Sequence, residues 1–138
     1  MTTVTYSFEF NYLPLNSGSS PNIQITVASL VHPDQAVDID ACLDSGTLLS
    51  LFDGRIATSI GIELLSGRPK TYTATSGASI EARLHRVRIS REDIGDFDLE
   101  AGFSLGEIQR NLLGRDFFAL VQIGFRERQR MFYVTPSP

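Results

Sequence analysis

The sharpest chemical feature of the chain is Ala41-Cys42-Leu43-Asp44-Ser45-Gly46-Thr47. An apolar strand delivers a carboxylate into a tight loop, and Leu48, Leu49, Leu51 and Phe52 follow. Asp44 is therefore set against a partly buried wall, where a carboxylate without a partner is costly. Asp, Ser and Gly are also ordinary turn residues, so the tripeptide alone reads equally as a chain reversal. A second feature, Leu112-Leu113-Gly114-Arg115-Asp116, joins an apolar pair to a glycine that permits close backbone approach, then an arginine and a helix-capping acid. Alone it fits any strand-to-helix junction.

Other reactive side chains lack company. His32 and His85 are far apart and share no ligand spacing with Cys or clustered acids, so no metal site is expected. Cys42 lies on the Asp44 side of its strand, but no base accompanies it, and it reads as a small packed core residue. Arg83, Arg86, Arg88 and Arg91, like Arg126, Arg128 and Arg130, are diluted by Glu81, Glu92, Asp93 and Glu127 and read as solvated strand faces. Tyr6, Phe8, Phe10, Phe117, Phe118, Phe125, Phe132 and Tyr133 read as core or dimer contacts.

The elements that must position these residues are mostly strands, because the dominant texture is period-two alternation. Val4, Tyr6, Phe8 and Phe10 alternate, and Ile23, Ile25 and Val27 do so again after the loop Asn16-Ser17-Gly18-Ser19-Ser20-Pro21, which predicts a first hairpin. Ala36 to Leu43 is a further strand. Asp53 to Ile60 is the first helix, with Asp53 as N-cap, Ile56 and Ile60 on one side and Gly61 ending it. Lys70 to Ser90 is a long hairpin turning near Ser76-Gly77. Phe97 to Phe103 is a strand, Phe117 to Val121 contains a short helix, and Val121 to Phe125 pairs with Arg130 to Val134.

The bulk composition agrees with one folded domain over residues 1–138. Hydrophobic residues make up 42% and charged residues 20%, with nine Phe and four Tyr, enough for a core. A net charge of −4 supplies no field to gather phosphates, which argues against nucleic acid or an anionic membrane as partner. Cys42 is the single cysteine, so no internal disulfide forms, and a reducing, cytoplasmic setting is favoured. No stretch approaches the roughly 20 apolar residues of a membrane-spanning helix, and a soluble protein is expected.

With the Asp44-Ser45-Gly46-Thr47 loop upstream of Leu112-Leu113-Gly114-Arg115, and a hairpin between them, the chain resembles the retropepsin family, the single-lobe aspartic proteases of retroviral type and their cellular relatives. The likeness runs from Ala36 to Val134, although only the two short motifs are specific, and likeness of fold does not establish activity. It implies an all-β closed barrel of the retropepsin-like type with one or two short helices. It further implies a homodimer acting on peptide or protein substrates, with Asp44 contributed by each subunit as the catalytic pair and no metal or other cofactor.

By the same likeness, Ser45 holds the two loops in register, Gly46 approaches the substrate through its backbone, and Ser76, Gly77 and Ala78 form a flap tip over bound peptide. Gly114 lets the chain pass beneath the active loop over Leu112 and Leu113, and Arg115 ties the junction down by binding a carboxylate. The chain departs from the retroviral pattern after Thr47, where Leu48 and Leu49 stand and the first acid is Asp53. The flap has only Gly77 between Gly67 and Gly95, implying a stiffer or differently shaped cover. The alternative to a peptidase is a catalytically inactive dimerisation or peptide-binding module with this fold, and an unrelated all-β binding domain comes third.

Overall fold

Ile23, Ile25 and Val27 turn inward from one strand, and Val87 and Ile89 from another, and these two segments form the seam on which the main sheet closes. The computed structural model describes residues 3–15 and 18–136. In chain order the elements are β1 (Phe8–Asn11), β2 (Leu13–Leu15), β3 (Gly18–Ser20), β4 (Asn22–Ala28), β5 (Ala36–Leu43), β6 (Leu51–Asp53), α1 (Gly54–Ser59), β7 (Arg68–Thr73), β8 (Ser79–Arg91), β9 (Gly95–Ser104), β10 (Asn111–Leu113), α2 (Arg115–Phe118), β11 (Val121–Arg126) and β12 (Met131–Pro136).

The main sheet runs β4-β5-β10-β6-β9-β8-β7, and an added β4–β8 pairing closes its first six strands into a ring. The length of β8 makes this possible: Ser79–Leu84 pairs with β7, while Arg88–Ser90 reaches β4. Two pairings are parallel, β10 with β5 and β6 with β9. The mostly β architecture expected from the sequence is thus present, with closure as a ring of pairings.

Several local expectations hold. Asp53 caps α1, its Oδ1 accepting from the Arg55 N–H at 2.9 Å, and Gly61 follows the helix at φ +79°, a conformation that disfavours side chains. The Arg68–Arg91 hairpin turns where predicted, and so does the β11–β12 hairpin.

The first predicted hairpin does not form. β1 pairs with β12 in a three-stranded sheet ordered β1-β12-β11, while β4 pairs with β5 and β8. Alternation specifies which face of a strand is apolar and leaves the partner open. Here the aromatic face of β1 meets that of the C-terminal hairpin, with Phe10 stacked on Phe132 at 4.9 Å between ring centroids. The loop expected at 16–21 is in part a small hairpin, β2 with β3, and Asn16 and Ser17 lie outside the described residues.

The Tyr12 N–H donates to the Arg130 carbonyl at 2.8 Å, and its hydroxyl donates to Glu127. Burial, followed by that acceptor, pushes the phenol up to about 12. Both sheets share one core in which Ile25, Phe52, Phe103, Leu113, Phe132 and Val134 are buried together. Among the described residues, no helix is long and apolar enough to cross a membrane.

Phe132→Ala removes a fully buried ring that joins the terminal strands to this core, and a loss of about 3–5 kcal/mol is expected by urea unfolding. The Arg55 guanidinium holds the Asp53 carboxyl below its ordinary range. Its stabilisation is therefore complete above the unfolded carboxyl pKa and lost as pH falls through the folded one. Asp53→Asn should lower the urea midpoint at pH 7, and the gap to wild type should close on acidification below the carboxylate range.

Candidate active site

β5 and β10 run side by side in the same direction, with Cys42 opposite Leu112 and Leu43 opposite Leu113, so the two motifs leave the sheet at one end together. The ladder continues one step into the loop, where the Asp44 N–H donates to the Leu113 carbonyl at 2.9 Å. The Asp44 carboxylate is then oriented from within its own turn. The Gly46 N–H donates to Oδ1 at 2.8 Å, and the Thr47 hydroxyl donates to Oδ2 at 3.2 Å. Such bonds aim the carboxylate. Asp44 is half-buried, Ser45 and Gly46 are exposed, and Asp44 makes no ion pair among the described residues.

Gly114 passes directly under this loop. A Cβ there would lie 2.5 Å from the Thr47 carbonyl oxygen, closer than any side chain tolerates. The approach allows the Arg115 N–H to donate to Thr47 at 2.8 Å and the Asp116 N–H to donate to Leu48 at 3.1 Å. The close passage expected of this glycine is present, with Leu113 fully buried and Leu112 half-buried beside it.

The expected tie through the Arg115 side chain is absent. That side chain is exposed and makes no ion pair among the described residues. The position just after Thr47 holds Leu48, which offers no carboxylate to receive it. Asp116 does the tying instead. Its Oδ2 accepts from the Ser50 N–H at 2.9 Å, and its Oδ1 accepts from the Ser50 hydroxyl at 2.7 Å and from the Phe117 N–H at 2.8 Å.

Ser50, with no exposed surface, accepts in turn at Oγ from the Gly114 N–H at 3.0 Å. Reasoning from sequence passed over this serine, although one polar residue inside Leu48-Leu49-Ser50-Leu51-Phe52 signals a buried group in need of partners.

The hairpin tip is an exposed turn carrying Ser76, Gly77 and Ala78. The Gly77 N–H donates to the Ala74 carbonyl at 2.9 Å, the Ala74 N–H donates to the Ala78 carbonyl at 2.8 Å, and Gly77 adopts φ +88°. Cys42 is buried on β5, the strand that leads into Asp44, and burial pushes its thiol up, so it stays protonated. The His85 Nε2 lies 2.8 Å from the Leu64 carbonyl and its ring meets Phe103 edge-on. Among the described residues, no three His, Cys, Asp or Glu side chains gather as metal ligands.

An apolar strand ending in an oriented carboxylate, a glycine passing beneath it and an intervening hairpin make a retropepsin-like fold, and comparison with solved structures supports that assignment. The chain is similar to a retropepsin-like aspartic protease from Rickettsia conorii, at 16% identity and a TM-score of 0.62 over 100% of both chains. It is also similar to the EIAV protease in complex with the inhibitor HBY-793, at 15% identity and a TM-score of 0.55, covering 78% of this chain and 92% of that one. No protein-family model and no curated protein matches the sequence.

Asp116→Ala strips the Ser50 N–H and hydroxyl of their acceptor in a site closed to water, and a loss of about 1–3 kcal/mol or more is expected. Arg115→Ala, by contrast, should change stability by less than about 0.5 kcal/mol. Paired urea titrations of the two variants would show which neighbour ties the junction.

Proposed function

We propose that the protein is an aspartic endopeptidase that works as a homodimer, Asp44 of each subunit supplying half of the catalytic pair. The observation that carries this reading is the state of Asp44 within the retropepsin-like fold: oriented by Gly46 and Thr47, half-open to solvent and free of any ion pair among the described residues. A carboxylate held in this way is available to meet another.

One carboxylate in water is a weak catalyst. Two identical ones brought together by a two-fold axis cannot both ionise easily, so the pair holds a shared proton over a range belonging to both groups. The ionised member takes a proton from a water molecule as it attacks the peptide carbonyl, and the protonated member donates toward the developing oxyanion. Proton transfer to the amine then completes cleavage, and the chemistry uses neither a metal nor a covalent intermediate.

In this reading Ser45 holds the paired loops in register, and Gly46 presents backbone to the substrate. Ser76, Gly77 and Ala78 close over an extended peptide, whose main chain can add to the exposed turn as a strand would. Leu48 and Leu49 follow the loop where the retroviral plan has an acid, so the surface beside Asp44 favours apolar over basic side chains.

The test is peptide cleavage by wild type and by Asp44→Asn across acidic to near-neutral pH, with sedimentation to report assembly. Wild type should sediment as a dimer and turn over a mixed peptide pool, and Asp44→Asn should lose at least about a hundredfold in rate while remaining folded. Equal cleavage by both proteins, or a strictly monomeric active species, refutes the reading. A folded dimer without turnover would instead favour the non-catalytic module.

A further inference from the structure

The β7 strand is exposed along its length except at Tyr72, which is half-buried. The Tyr72 hydroxyl donates to the Ser50 carbonyl at 3.1 Å. To do so the ring lies over Gly102 of β9, where a Cβ would sit 2.3 Å from that hydroxyl. Gly102 also donates its own N–H to the same Ser50 carbonyl at 2.8 Å. The absent side chain at 102 is thus the slot that the tyrosine fills. Leu84 points to the same side of the sheet as Gly102 and is buried there.

The acceptor is the serine whose remaining polar groups hold Asp116 and Gly114 against the underside of the Asp44 loop. The Tyr72 hydroxyl therefore ties β7 directly, just before the Ala74–Ala78 turn, to the junction that positions the candidate nucleophile-activating acid, beside the β8–β9 ladder that brings Gly102 to the same carbonyl. Burial and the charge of Asp116 raise the phenol pKa, so it stays a donor throughout the working pH range.

We propose that Tyr72 is a positioning residue, a latch that couples the placement of the Arg68–Arg91 hairpin to Ser50 and through it to the Asp44 loop. This deepens the peptidase reading and rests on it for the hairpin's role as a cover. Releasing the latch frees the hairpin stem while leaving the acid and its immediate hydrogen bonds in place. Its signature is weaker substrate retention rather than a slower chemical step.

The experiment compares Tyr72→Phe, which deletes only the hydroxyl, with wild type and with Gly102→Ala, whose new methyl displaces the ring. Amide hydrogen exchange on the full chain is the first readout. Both variants should exchange faster, by about two- to tenfold, at the β7–β8 ladder amides from Tyr72 to Glu81, with β4, β5 and β12 unchanged. The second readout is a rise of similar size in KM on a mixed peptide substrate, with kcat largely retained.

Hairpin exchange identical to wild type overturns the latch. So does acceleration spread evenly over the whole chain, which would make Tyr72 an ordinary stability residue, and so does a fall in kcat with KM unchanged. The exchange measurement needs no turnover. Selective loosening of the hairpin in a protein that cleaves nothing would keep the latch and reject the peptidase.

Discussion

A serine sealed from water must satisfy each of its polar groups with protein, because an orphaned donor or acceptor in such a place costs about 1–3 kcal/mol. Ser50 meets that requirement with partners drawn from four places in the chain: Asp116 of α2, Gly114 at the junction, Gly102 of β9 and Tyr72 of β7. None of these partners is near Ser50 in sequence. Displacing α2 leaves the buried Ser50 N–H and hydroxyl without their acceptor, so the junction beneath the Asp44 loop is held to one arrangement. The loop itself is shaped locally, by the Gly46 and Thr47 bonds to Asp44, and the Ser50 network fixes the junction that passes beneath it.

The ring of strands makes the convergence possible. Parallel pairing of β5 with β10 brings two loops out of the sheet at one end, and antiparallel contact of β10 with β6 returns the chain beneath them. Gly114 is the point at which backbone passes backbone, and the missing side chain is a geometrical necessity there. At the far side, β8 is long enough to serve β7 with its first half and β4 with its second. Its buried residues change face along the way, Ala82 and Leu84 on one side and Val87 and Ile89 on the other. One strand thus supports both the hairpin and the core.

The site pairs an oriented carboxylate with an apolar surround. Where an acid beside the loop would have engaged Arg115, the chain places Leu48, which is exposed, and the tie passes one residue along to Asp116. The charge that orders the junction is therefore directed at a buried serine.

Much of this was legible in advance. Alternation placed the Ala36–Leu43 strand, the hairpin over Lys70–Ser90 and the C-terminal hairpin; Asp53 and Gly61 marked the ends of α1; and the two motifs with their order along the chain pointed to the retropepsin-like fold. These features depend on neighbours in sequence, where residue type and spacing act directly. The partner of β1, the face change along β8, the exposed Arg115 and the gathering of Tyr72, Gly102 and Asp116 on Ser50 were decided only when distant segments met. A strand's pattern says which side seeks burial and a buried hydroxyl says that it needs partners, but which surface and which atoms answer depends on how the whole chain closes.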